Sequence, residues 1–330
     1  MSLLLKPLEE GNLTLKNRLV MAPMATSKSK EDGRISKDIL EYYDEKSRGG
    51  YISLIIIEHS FITIKGKASE GQLSISDDSN IEDLKKLSNI IHENGSKAVM
   101  QINHAGSAAS KSVTGHEPVG PSNIPNPRTD SIPKELTQNE IKNIIDEFKY
   151  ASIRVKKAGF DGVEIHSAHG YLLNQFFSPL TNKRNDAYGG DLSGRIKIHL
   201  DIIKAVRKAV GDNFSILLRL GASDYIKGGS TIEDSKLAAV EFEKAGVDIL
   251  DISGGFCGYS VKELNGQGYF SPLTEEIKKV ISIPVILTGG ITDIDAAENL
   301  ISRKKTDLIG VGRPIYKDSK WAEKAIKSIK

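Results

Sequence analysis

Apolar residues in this chain gather in short continuous runs rich in Val, Ile and Leu. They are residues 19–24 (LVMAPM), 53–59 (SLIIIEH), 97–104 (KAVMQINH), 161–168 (DGVEIHSA), 214–220 (FSILLRL), 248–255 (DILDISGG), 284–290 (PVILTGG) and 307–313 (DLIGVGR). Each has the length of a buried strand. Apolarity at successive rather than alternate positions implies burial on both faces, the mark of a parallel sheet. Between the runs the period changes to that of a helix. In 137–159, Ile141, Ile144, Ile145, Phe148, Ile153 and Val155 follow one stripe. Thr137 and Glu140 form a capping box there, and Gly159 is placed to end the helix. Residues 81–95, 194–211, 231–246 and 293–305 repeat the pattern. Eight strands alternating with helices predict an α/β fold, a TIM (β/α)8 barrel forming a single domain over 1–330. A doubly wound open sheet is the alternative.

One segment breaks the alternation. Residues 105–136 follow the third strand and hold Pro118, Pro121, Pro125, Pro127 and Pro133, five of the chain's eleven prolines. A loop this long inside a compact domain is functional or disordered. It leaves the C-terminal end of a strand, so it reads as a lid over an active site. Residues 178–193 form a second long loop.

In a TIM barrel the chemistry sits at the C-terminal strand ends. Here those ends are polar and glycine-rich. Gly289 and Gly290 after strand seven, with Gly312 and Arg313 after strand eight, have the make-up of a phosphate site. The glycines let the backbone approach, and the guanidinium can grip an anion. His166, His169 and Tyr171 crowd the end of strand four. As metal ligands the histidines are poorly spaced, because the helical zinc pair is four apart and no third ligand is evident. As core residues they are too polar for a strand end. As hydrogen-bond donors to a substrate oxygen, with a phenol beside them, they can polarise a carbonyl and protonate the adjacent carbon.

Charge and composition narrow the classes further. With 45 basic and 43 acidic residues the net charge is +2, and no basic block predicts nucleic-acid binding. No apolar run nears the roughly 20 residues that span a bilayer. The first twenty residues are too short and charged for a signal peptide, so a cytoplasmic location is expected. The single cysteine, Cys257, leaves no internal disulfide, four-cysteine zinc site or cysteine-ligated iron–sulfur cluster, and reads as a bystander.

Residues 17–24 (NRLVMAPM), 101–106 (QINHAG), 161–195 and 310–314 (GVGRP) resemble the Old Yellow Enzyme family of FMN-dependent ene reductases, in its short single-domain bacterial form. The resemblance implies a TIM barrel carrying tightly bound FMN that is reduced by NADH or NADPH. Such an enzyme reduces the activated C=C bond of an enone, enal or nitro compound. Ala22, Pro23, Met24 and Ala25 would border the flavin. Gln101 would bond its pyrimidine edge, and Arg219 would stabilise the anionic reduced ring. Gly289, Gly290, Gly312 and Arg313 would hold the phosphate. His166 and His169 would bind the substrate oxygen and Tyr171 would donate the proton. Relatives in that family are often a homo-oligomer, dimer or tetramer, and the sequence leaves the oligomeric state open.

Departures from that family pattern stand out. Ala25 replaces a Cys or Thr that would bond the flavin, unless Thr26 substitutes. His59 occupies a position that is usually small, where it either lines the flavin edge or points away. One cysteine excludes the iron–sulfur architecture of longer members. The competing reading is a flavin-free phosphate-binding barrel lyase or isomerase, which needs a lysine or carboxylate base. Glu58 is the carboxylate that the sequence places near a strand end.

Overall fold

In the computed structural model, which describes residues 2–10 and 12–329, the predicted strands close into one parallel barrel. They are β1 (Leu19–Met21), β2 (Leu54–Phe61), β3 (Lys97–Asn103), β4 (Gly162–Ser167), β5 (Ser215–Gly221), β6 (Ile249–Ser253), β7 (Val285–Thr288) and β8 (Leu308–Val311). Each pairs with its neighbour in sequence, and β8 closes on β1. The outer helices are α1 (Lys37–Ser47), α2 (Ile81–Glu93), α3 (Gln138–Lys157), α4 (Leu192–Val210), α5 (Ile232–Ala245), α6 (Ser271–Ile277), α7 (Ile294–Ser302) and α8 (Trp321–Ser328). The Thr137–Glu140 capping box forms as the sequence predicts, and Gly159 turns the chain at φ 79°. Helices α1, α6 and α8 were not apparent in the sequence. Helices α6 and α8 are short, at 7 and 8 residues, and all three are held by packing on the wall.

The barrel wall separates two apolar cores. The outer one joins helix residues such as Ile39, Leu84, Phe148, Val206 and Phe242 to strand residues such as Leu19, Ile55, Met100, Ile165 and Leu218. Truncating fully buried Phe148 to Ala is worth about 3–5 kcal/mol of stability. The inner core is smaller and lies at the N-terminal end. Val20, Leu54, Ile56, Val99, Leu217, Ile249, Ile286 and Leu308 meet there with Leu8, Leu13 and Leu15. The last three come from an antiparallel pair, Leu8–Glu10 with Leu13–Leu15, that stops the bottom of the barrel.

Successive side chains of a strand point to opposite faces. Two residues beyond four of the inner-core positions, the inward side chain becomes polar. Val99 is followed by Gln101, Leu217 by Arg219, Ile249 by Asp251 and Ile286 by Thr288. The apolar runs of the sequence are therefore strands with an oily lower half and a polar upper half.

The excursion after β3 is ordered. It contains a turn at Gly106–Ala108, a short helix at Lys111–Thr114 and a two-residue ladder, Val119–Gly120 with Lys134–Glu135. Arg184, from the second long loop, staples it down. This buried guanidinium donates to the carbonyls of Pro121 (2.8 Å) and Leu136 (2.6 Å) and pairs with Asp186.

Candidate active site

A cavity of about 390 Å³ opens at the C-terminal end of the barrel. Every residue that the family resemblance assigns to the flavin or the substrate, with His59, lies on its wall. The loop after β1 supplies Ala22, Pro23, Met24 and Ala25; β2 supplies His59 and β3 Gln101. His166, His169 and Tyr171 come from the end of β4, and Arg219 from β5. Gly289, Gly290, Gly312 and Arg313 close the far side after β7 and β8. The wall also holds Arg128 from the excursion, Ser253, Thr288, Tyr259 and Tyr269.

The turn after β4 fixes the aromatic cluster. His169 sits at φ 61°, a left-handed backbone rarely adopted by a non-glycine residue, and Gly170 follows at φ 77°. Such a conformation costs on the order of 1–3 kcal/mol and persists where surrounding contacts dictate it. Here the Gly170 N–H donates to Asn174 Oδ1 (2.7 Å), its carbonyl accepts from Gln175 Nε2 (2.7 Å), and Arg128 donates to the His169 carbonyl. The His166 ring then lies 5.2 Å from that of His169 and 5.1 Å from that of Tyr171, edge-on to both. The His59 ring stacks on Tyr171 at 5.4 Å.

Burial and the nearby positive charge of Arg219 fix the protonation states. His166 is held well below the usual histidine range by burial, then by His169 and Arg219. His169 is lowered in the same way by burial, Arg219 and Arg128. His59 is lowered to about 4 by burial and Arg219. All three imidazoles are therefore neutral at pH 7, and each carries one N–H. Burial pushes the Tyr171 phenol upward, so it keeps its proton. His169 Nε2 shares a hydrogen bond with the Ser253 hydroxyl at 2.8 Å. Among the described residues no three His, Cys, Asp or Glu side chains gather as a metal site.

The floor holds two carboxyl groups that the sequence reading did not single out. Glu164 and Asp251 are fully buried beside Arg219. Glu164 accepts from Gln101 Nε2 (2.7 Å) and Asp251 from Thr288 Oγ1 (2.8 Å). Burial and the Asp251 charge push Glu164 up to about 8, so it is protonated at pH 7. The period of two was the available signal, because Glu164 stands two residues before His166. Glu58, the carboxylate noted from the sequence, lies elsewhere. It is bonded by the Thr26 N–H (2.9 Å) and hydroxyl (2.7 Å) and does not line the cavity. Thr26 is thereby committed too. Cys257 has its thiol pushed up to about 12 by burial, which leaves no thiolate.

The wall fits a flavin phosphate. Of the residues on the cavity wall, Arg219 Nε and His166 Nδ1 are buried without a hydrogen-bond partner. Buried polar atoms are rarely left so, and two on one cavity wall suit a polar ligand. Gly290, at φ 70°, leaves no room for a side chain, since a Cβ would come within 2.3 Å of Tyr269. A backbone so bare, beside Arg313, suits an anion.

Comparison with known proteins agrees. The family model described as NADH:flavin oxidoreductase / NADH oxidase matches residues 3–330. The chain is 41% identical over 321 residues to an NADH oxidase of Thermoanaerobacter brockii, covering 96% of this chain and 49% of that protein. It is 40% identical over 309 residues to an NADPH dehydrogenase of Clostridium acetobutylicum, covering 93% and 89%. Among solved structures, an old yellow enzyme homologue from Zymomonas mobilis superposes with a TM-score of 0.87 at 26% identity, covering 99% and 93%. The chain thus spans about half the length of some relatives and nearly all of others. It belongs to the NADH:flavin oxidoreductase / NADH oxidase family, the Old Yellow Enzyme group, whose members use FMN and a nicotinamide.

Proposed function

We propose that this chain uses NADH or NADPH to reduce the activated C=C bond of α,β-unsaturated carbonyl or nitro compounds. The observation that carries the reading is the cluster of two neutral imidazoles and a protonated phenol on one cavity wall. Bound FMN supplies the hydride chemistry. Gln101 and Arg219 would hold its ring, and Gly289, Gly290, Gly312 and Arg313 its phosphate. His166 and His169 donate N–H groups to the substrate oxygen. Negative charge builds on that oxygen as the β-carbon is reduced, and preset donors stabilise it without reorganising. The hydrogen bond shared with Ser253 and the locked turn keep the His169 ring from rotating away. Tyr171 gives its proton to the α-carbon.

Anaerobic stopped-flow measurements test the assignment. Tyr171→Phe should slow oxidation of the reduced enzyme by cyclohexenone about 10²-fold, the usual contribution of a positioned acid. Reduction by the nicotinamide should keep its rate. Equal loss in both half-reactions would remove Tyr171 as the donor. A purified chain that neither carries nor takes up FMN would support a flavin-free lyase or isomerase instead.

A further inference from the structure

The wall formed by β1, β2 and β3 is short of donors. The Ala22–Ala25 stretch offers no side-chain N–H or O–H. Thr26 gives both its N–H and its hydroxyl to Glu58. Gln101 gives an amide N–H to Glu164. His59 is different, and its placement has a visible cause. The β2–β3 pairing slips between Ile57 and Ser60, a bulge that re-aims the residues between them. Glu58 turns to Thr26, while His59 turns onto the cavity wall.

The hydrogen bonds around His59 decide where its proton sits. Gln72 Oε1 accepts from the Ala68 N–H at 2.6 Å, so the other end of that amide is its NH2. This NH2 donates to the His59 carbonyl (3.1 Å) and reaches His59 Nδ1 at 2.9 Å. Asn103 Nδ2 approaches the same atom at 3.4 Å. Two amide nitrogens facing Nδ1 make it the acceptor, so Nε2 carries the proton. Gln72 and Asn103 do not line the cavity while His59 does, so with Nδ1 turned to those two amides the Nε2 side is the one left for the cavity.

We propose that His59 is a hydrogen-bond donor to the bound flavin ring, its proton held on Nε2 by Gln72, and that this bond raises the flavin's reduction potential. The proposal rests on FMN occupying the cavity. A donor at a ring oxygen or nitrogen stabilises the electron-rich reduced form more than the oxidised form, because charge grows at those atoms on reduction. Burial keeps His59 neutral, so it acts as a donor of constant strength across neutral pH. The near-parallel stacking of Tyr171 on the same imidazole, 27° between planes, holds the ring in that orientation.

The test is a dye-equilibrated titration of the FMN-loaded protein and its variants. His59→Leu should lower the midpoint potential by about 30 mV, a tenfold loss in the reduction equilibrium for a two-electron couple. His59→Gln, whose amide NH2 reaches the place of Nε2, should restore most of the shift. Gln72→Leu should move the potential part of the way in the His59→Leu direction, since the proton is then free to change nitrogen. An unchanged potential in a His59→Leu protein that still binds FMN overturns the donor role alone. Failure of the unaltered chain to bind FMN overturns the flavin reading with it. Should His59→Leu not fold, the 15N spectrum of the unaltered protein decides. A proton on Nε2 whose resonance moves on FMN binding supports the proposal, and a proton on Nδ1 overturns it.

Discussion

Gly290 shows how narrowly single residues are constrained around this cavity. Its φ of 70° costs an alanine about 1–2 kcal/mol, and the added Cβ would strike the Tyr269 ring. Gly290→Ala should therefore lower the stability of the FMN-free protein by roughly that amount. It should also weaken FMN binding at least tenfold, since Tyr269 has to move within the wall. Denaturant unfolding and a fluorescence titration with FMN read the two effects separately. Loss of stability with full FMN affinity would show that this glycine serves the turn and not the phosphate. The residue scale is also where reading the sequence alone stops short. His166, His169 and Tyr171 were found because three polar rings at one strand end are conspicuous. Glu164 and Asp251 were passed over because a lone acid inside an apolar run looks like noise until the inward face is known.

At the scale of elements, the sequence yielded all eight strands because both faces of each are buried, and it yielded five of the outer helices through their stripe and caps. It did not yield the bulge in β2, since a slip in register depends on the partner strand. Nor did it reveal that the 105–136 excursion is pinned. That attachment depends on Arg184, some fifty residues further on, which spends its donors on two carbonyls of the excursion and on Asp186. Arg184→Met should leave those carbonyls unpaired, at about 1–3 kcal/mol each. The excursion should then become the first segment cut in limited proteolysis, ahead of the barrel. Arg128, at the cavity mouth, would move with it, and substrate KM should rise while flavin content holds. Uniform resistance to protease would show that the ladder at Val119–Gly120 suffices to hold the segment.

For the whole molecule, buried ionisable groups set the dependence of stability on pH. His59 and His104 are lowered to about 4 and His199 to about 3, chiefly by burial. Their folded values lie below the ordinary 6.5, so their contribution is complete above that pH and is lost as pH falls through 4. Glu58 and Glu164 are raised to about 7 and about 8. Their contribution is complete below 4.5 and is lost as pH rises through those values. The FMN-free chain should thus be most stable near pH 6, with unfolding midpoints falling on both sides. A midpoint that climbs steadily to pH 9 would contradict these buried acids. The hairpin that stops the barrel has a different consequence. With Leu8, Leu13 and Leu15 packed into the lower end, the barrel is closed beneath the cavity. Under the proposed function, whatever reduces the flavin and whatever reoxidises it share the one cavity at the C-terminal end, so each has to leave before the other enters. The two reactants therefore queue, each excludes the other in proportion to its concentration, and an excess of either slows turnover.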